Sequence, residues 1–79
     1  RTVIRGEARF FTFQAESDQG RVDELDLPEK AAVVCVYRDG DFELSRPDLE
    51  IEANDEVVIL THRRHLADLR ERWTPETEG

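Results

Sequence analysis

The dipeptide Asp39-Gly40, set between two apolar segments, constrains this chain more than any other feature. A two-residue turn of this composition joins antiparallel strands through a type I′ loop, because both central positions need positive φ. Residues 31–37 read Ala-Ala-Val-Val-Cys-Val-Tyr, and residues 41–45 return as the partner strand. With that loop, Arg38 faces Asp41, Tyr37 faces Phe42, Val36 faces Glu43, Cys35 faces Leu44 and Val34 faces Ser45. Side chains alternate across a strand. Val33, Cys35, Tyr37, Phe42 and Leu44 therefore form one wholly apolar face, the expected core side. Ala32, Val34 and Val36 form an apolar stripe on the other face, beside Glu43 and Ser45. Such a stripe needs a cover, either a second subunit or a helix of the same chain.

The remaining elements follow from periodicity. Residues 9–16 alternate as a first strand, with Phe11, Phe13 and Ala15 on one face. Residues 21–25 make a short helical turn with Val22 and Leu25 three apart, and Pro28 ends it. Leu49 and Ile51 suit a short extended piece, Asn54-Asp55 a turn, and residues 56–61 a buried strand. A helix is expected over residues 62–73, with Thr61 as N-cap and Leu66, Leu69 and Trp73 as its apolar stripe. The predicted order is β-α-β-β-β-α. This is an α+β fold with a small, mainly antiparallel sheet covered by helices. Residues 1–8 read as a linker or tail from a longer parent chain, 9–73 as the domain and 74–79 as a tail.

With 79 residues there is room for one small domain, whose core alone gives marginal stability. Association is one remedy for an undersized core. A single cysteine provides no internal disulfide and no cysteine-rich zinc site. The formal net charge of -8 argues against nucleic acid, which is held by a clustered basic surface. Charge and hydropathy also oppose membrane insertion, since the longest apolar run is Val57-Val58-Ile59-Leu60. Residues 16–56 hold most of the acid: fourteen carboxylates against Arg21, Lys30, Arg38 and Arg46, a net of -10. A reducing, cytoplasmic setting is expected.

Few residues invite chemistry. His62 and His65 are three apart, but a metal needs further ligands at fixed places and arginines crowd this pair. Cys35 lies mid-strand among apolar neighbours, where a thiol is inert. The glycines are isolated, so no phosphate-cradling loop is present. No catalytic residue, metal site or cofactor is expected, and an enzyme is not.

Three segments in order carry a family pattern: Glu24-Leu25-Asp26-Leu27-Pro28, Val34-Cys35-Val36-Tyr37-Arg38, and Asp48 through Val57 with Ile51 and Asp55 at their spacing. Together they make residues 9–73 resemble the C-terminal ligand-binding domain of potassium-transport regulators, the TrkA-type or RCK C-terminal domain. This chain has Asn54-Asp55 where many relatives have Gly-Asp, and His62 where many have Gly. The resemblance implies a regulatory domain of a potassium or other cation transport system. It also implies a homodimer and a parent chain carrying a Rossmann domain or a membrane transporter. In some relatives a cyclic dinucleotide, cyclic di-adenosine monophosphate, sits between two subunits. The family arginine falls on Arg38 and the family proline on Pro47. Arg38, Arg46, Pro47, Ala32 and Val34 are the implied candidates for a small anionic ligand. Ala32, Val34 and Val36 are the candidates for the dimer interface. A purely structural dimerisation module without a ligand is the alternative. Arg38, at a hairpin end, is expected to tolerate truncation without loss of fold.

Overall fold

A computed structural model describes residues 6–78. Seven strands appear in chain order: β1 (Ala8–Gln14), β2 (Gly20–Arg21), β3 (Ala31–Arg38), β4 (Asp41–Leu44), β5 (Glu50–Ile51), β6 (Glu56–His62) and β7 (Pro75–Glu78). A 3₁₀ turn spans Val22–Glu24, a second spans Arg63–His65, and the latter runs into α1 (Leu66–Arg72). The main sheet has five strands in the order β4-β3-β6-β1-β7, and β2 pairs with β5 in a two-stranded ribbon. All of these pairings are antiparallel. The molecule is the α+β sandwich expected: a sheet with helical segments packed on one side.

The hairpin register holds at every predicted pair from Arg38–Asp41 to Cys35–Leu44. Asp39 and Gly40 take φ of 54° and 80°, as a type I′ turn requires. Ser45 N–H donates to Val34 O at 3.0 Å and closes the open end.

The core side of the hairpin differs from the expectation. Val33 pairs with Ile59, yet Cys35 pairs with Val58, so Val34 is an extra residue in β3. A bulge of this kind switches the faces of the strand beyond it. Val33 and Val36 consequently both point inward, and Val36 is fully buried. Tyr37, Phe42 and Leu44 are 45%, 52% and 68% exposed on the outer face. The stripe Ala32-Val34-Val36 is thus split: Val36 belongs to the core, and Ala32 and Val34 stay outside.

The core lies between the inner face of β1, β3 and β6 and the helical segments. Phe11, Phe13, Val57, Ile59 and Leu69 are fully buried, with Leu25, Leu49 and Ile51 closing the end nearest the ribbon. Each such side chain contributes about 1.5–3 kcal/mol on burial. The predicted helical stripe faces this core: Leu69 is its buried centre, and Leu66 and Trp73 flank it. Trp73 stacks on Phe13 at 4.4 Å between ring centroids, and its Nε1–H donates to Gln19 Oε1 at 3.2 Å.

Two boundaries differ. Thr61 does not cap the helix; it is a buried residue of β6. The cap is His62, whose Nδ1 accepts from Arg64 N–H at 3.0 Å, and the first turn is 3₁₀. Residues 75–78, expected to trail as part of a tail, form β7 on the outer edge of β1. Pro75 suits that edge because it has no N–H to give to a ladder. Residues 1–5 and 79 of the two expected tails lie outside the described residues.

Candidate ligand-binding site

The hairpin turn brings Arg38 back over the β5–β6 connection, and this settles its partner. Arg38 Nε donates to Asp55 Oδ1 at 2.8 Å and Nη2 to Asp55 Oδ2 at 2.7 Å, a bidentate pair. Nη2 also donates to Glu50 O at 2.8 Å. Asp55 is buried and takes a third bond from Glu52 N–H at 2.8 Å. The Arg38 hydrogen bonds hold the Asp55 carboxyl below the usual carboxylate range, against the opposing effect of its burial. Arg38 therefore clamps the turn that begins β6, where Asn54 sits at φ 76°. The hairpin-end reading of Arg38 as a freely replaceable surface residue is corrected by this clamp. The arginine-to-acid spacing of 17 residues was present in the sequence, but only the fold brings the pair together.

The other candidates meet elsewhere. Strand β4 pairs with only the second half of β3, from Cys35 to Arg38. Residues 31–33 pair with β6 on one side, and on the other side no strand among the described residues lies beside them. Facing that edge is the first 3₁₀ turn with Asp26 and Leu27, and between them opens a cleft of about 740 Å³. Ala32, Val34, Arg46 and Pro47 all line it, with Val22, Leu27 and Leu44. Two backbone bonds fix its wall: Val22 N–H to Leu49 O at 2.9 Å and Asp23 N–H to Pro47 O at 3.1 Å. Four of the five candidates thus share one cleft, and Arg38 is not among its lining residues.

The rim of this cleft carries both signs. Arg46 reaches Glu43 at 3.5 Å and Asp48 at 3.2 Å, in exposed pairs of little strength. Asp23 is held by Arg21 at 2.6 Å. Asp26 also lines the cleft.

A second cleft of about 560 Å³ adjoins the first along Ala31, Ala32 and Val34. Leu60 extends its apolar floor, and Glu7, Lys30 and His62 stand at its rim. His62 Nε2 lies 3.5 Å from Glu7 Oε2, and Arg63 also lies 3.5 Å from Glu7. Sequence reasoning passed over Lys30 and Leu60. The bulge after Val33 and the end of β4 at Leu44 both border the first cleft, and neither is written as a motif.

The outer sheet face continues from these clefts. Val34, Leu60, Tyr37, Phe42 and Leu44 lie along it, each more than a third exposed. Cys35 is beneath them, and burial pushes its thiol pKa up, which suppresses the nucleophilic thiolate. His62 and His65 rings meet edge-on at 6.4 Å. Among the described residues no three acidic, histidine or cysteine side chains converge as a metal set. No helix among the described residues is long and apolar enough to cross a membrane.

No curated protein matches the chain at significance. The family comparison is positive: the model of the TrkA-C domain matches residues 16–72, from just after β1 to the end of α1. The match takes in the 3₁₀ turn, the bulged hairpin, the Arg38–Asp55 clamp and the helix, and by it the chain belongs to the TrkA-C domain family.

Proposed function

We propose that this chain is the regulatory ligand-binding domain of a potassium, or other cation, transport system. In this reading it works in the cytoplasm as a homodimer within a parent chain bearing a Rossmann domain or a membrane transporter. It senses a small anionic ligand and passes the signal through the dimer. Family membership supports the coarser statement, regulation of potassium transport. The observation that carries the rest is the outer sheet face, where Tyr37, Phe42 and Leu44 are 45–68% exposed directly beside the cleft of Ala32, Val34, Arg46 and Pro47. A contiguous apolar patch of that kind is a docking surface, and a second copy would wall the cleft.

The test is sedimentation of the purified domain. The expected wild type is a dimer at micromolar concentration, and Leu44→Asp is expected to be a folded monomer. Leu44 is 68% exposed, so the monomer's own core does not need it. A wild type that stays monomeric at high micromolar concentration would remove the dimer reading. Thermal shift with cyclic di-adenosine monophosphate and adenine nucleotides tests the ligand. A compound binding only the folded state adds about 2.7 kcal/mol at 100 times its Kd.

The second reading, a structural dimerisation module, draws on the rim of the cleft. Asp23 and Asp26 line it, and Arg46 already faces Glu43 and Asp48. It predicts a dimer whose stability no anion changes.

A further inference from the structure

The outer sheet face carries one row of side chains that ends in acid. The ladders set it: Phe42 faces Tyr37 across β4 and β3, Tyr37 faces Glu56 across β3 and β6, and Glu56 faces Gln14 across β6 and β1. At the far edge β7 brings Glu76 to the row, and a hydrogen bond joins the Glu56 and Glu76 carboxyls. The other end is apolar and open to solvent, with the Tyr37 and Phe42 rings 6.0 Å apart and 45% and 52% exposed. Glu56 is half-buried and Glu76 exposed.

No cation faces Glu56 among the described residues. β3 presents Tyr37 and the buried Cys35 thiol, β1 presents the neutral amide of Gln14, and β7 presents Glu76. Arg38, next to Tyr37 in the chain, is turned to Asp55 and Glu52 instead. Two carboxyls in hydrogen-bond contact without a cation share one proton, because like charges that close cannot both ionise freely. Removing water from the pair strengthens its hold on that proton, since burial disfavours the charged form.

We propose that the proton shared by Glu56 and Glu76 links assembly of this domain to pH: a second copy seated on the outer face covers the acidic end of the row together with Tyr37 and Phe42, and each protomer takes up a proton at Glu56 as the dimer forms. The dimer is then tight in mild acid and loosens as pH rises, by up to about tenfold per pH unit for each proton taken up. Glu76 lies in β7, beyond the matched residues 16–72, so the proton switch belongs to this chain's own extra strand and not to the matched family segment. The inference rests on the dimer reading above and supplies its regulation.

The test is sedimentation of the whole chain from about pH 5 to about pH 8 in roughly 0.5 M sodium chloride, where general repulsion between acidic bodies is screened. The dimer Kd of wild type is expected to be at least about tenfold lower at the acid end. Glu76→Gln donates its amide N–H to the Glu56 carboxylate without a shared proton, so its dimer is expected to be insensitive to pH over this range. Glu56→Gln is the second variant and is expected to behave in the same way. Glu71→Gln is the control: it removes an equal charge from an exposed position on α1, on the other side of the sheet, and is expected to keep the wild-type slope. Circular dichroism at each pH checks that every variant stays folded. A slope unchanged in both Glu76→Gln and Glu56→Gln, or a wild-type Kd that pH does not move, overturns the inference and leaves the dimer reading standing. A wild type that is monomeric at high micromolar concentration across the whole range removes the dimer reading and this inference with it.

Discussion

Asp55 is a buried carboxylate with three donors: two from Arg38 and one from Glu52 N–H. Removing one side of a buried ion pair is costly, because the remaining charge keeps its desolvation and loses its partner. Arg38→Ala is expected to destabilise the domain by about 3 kcal/mol, a drop in Tm on the order of 15 °C. The pH dependence has a definite sign. The pKa of Asp55 is lower in the folded state than in the unfolded chain, so its contribution is complete above about pH 4 and is lost as pH falls through the folded value. Urea unfolding of wild type and Arg38→Ala from neutral to acid pH should show the two curves converging on the acid side. Equal stability at neutral pH would mean the clamp contributes nothing. Arg38 itself was legible as a family arginine. Its partner was not, because Asp41 directly across the hairpin was an equally acidic choice and 17 residues separate Arg38 from Asp55.

At the scale of elements, what could be read from the sequence were features with local causes. The Asp39-Gly40 turn set the β3–β4 register, and the spacing of Leu66, Leu69 and Trp73 set the buried side of α1. What could not be read depended on a neighbour strand. The bulge at Val34 arises from pairing with β6, and it alone sends Val36 inward and leaves Tyr37 and Phe42 outside. Likewise nothing in Pro75-Glu76-Thr77-Glu78 reads as apolar alternation, yet the free edge of β1 takes it as β7. Its attachment has an electrostatic weak point. A hydrogen bond with Glu76 raises the pKa of Glu56 on β6, with help from burial and from the neighbouring charge. Two carboxyls joined this way need a shared proton. The folded pKa of Glu56 lies above its unfolded value, so this contribution is complete below the ordinary carboxylate range of about 4 and is lost as pH rises through the folded value. Glu76→Gln supplies a permanent N–H donor. It is expected to stabilise the domain at neutral pH and to have little effect near pH 4, as read by thermal melts. A neutral-pH destabilisation would contradict the shared-proton account.

Taken as a whole, the molecule sets an apolar sheet face against a strongly acidic body. Each protomer carries a formal -8, and 14 of its 19 carboxylates fall between residues 16 and 56. The proposed dimer brings two such bodies together, so long-range repulsion opposes the burial of Val34, Tyr37, Phe42, Leu44 and Leu60. Salt acts on the two terms differently. The repulsion is screened when the Debye length shortens from about 30 Å at 0.01 M to about 8 Å at 0.15 M, whereas apolar burial is not weakened over that range. Dimerisation through the outer face should therefore tighten as salt is added. Sedimentation across a sodium chloride series measures this. A dimer that loosens with salt would have to be held by ion pairs between protomers, and the apolar face would then not be its interface.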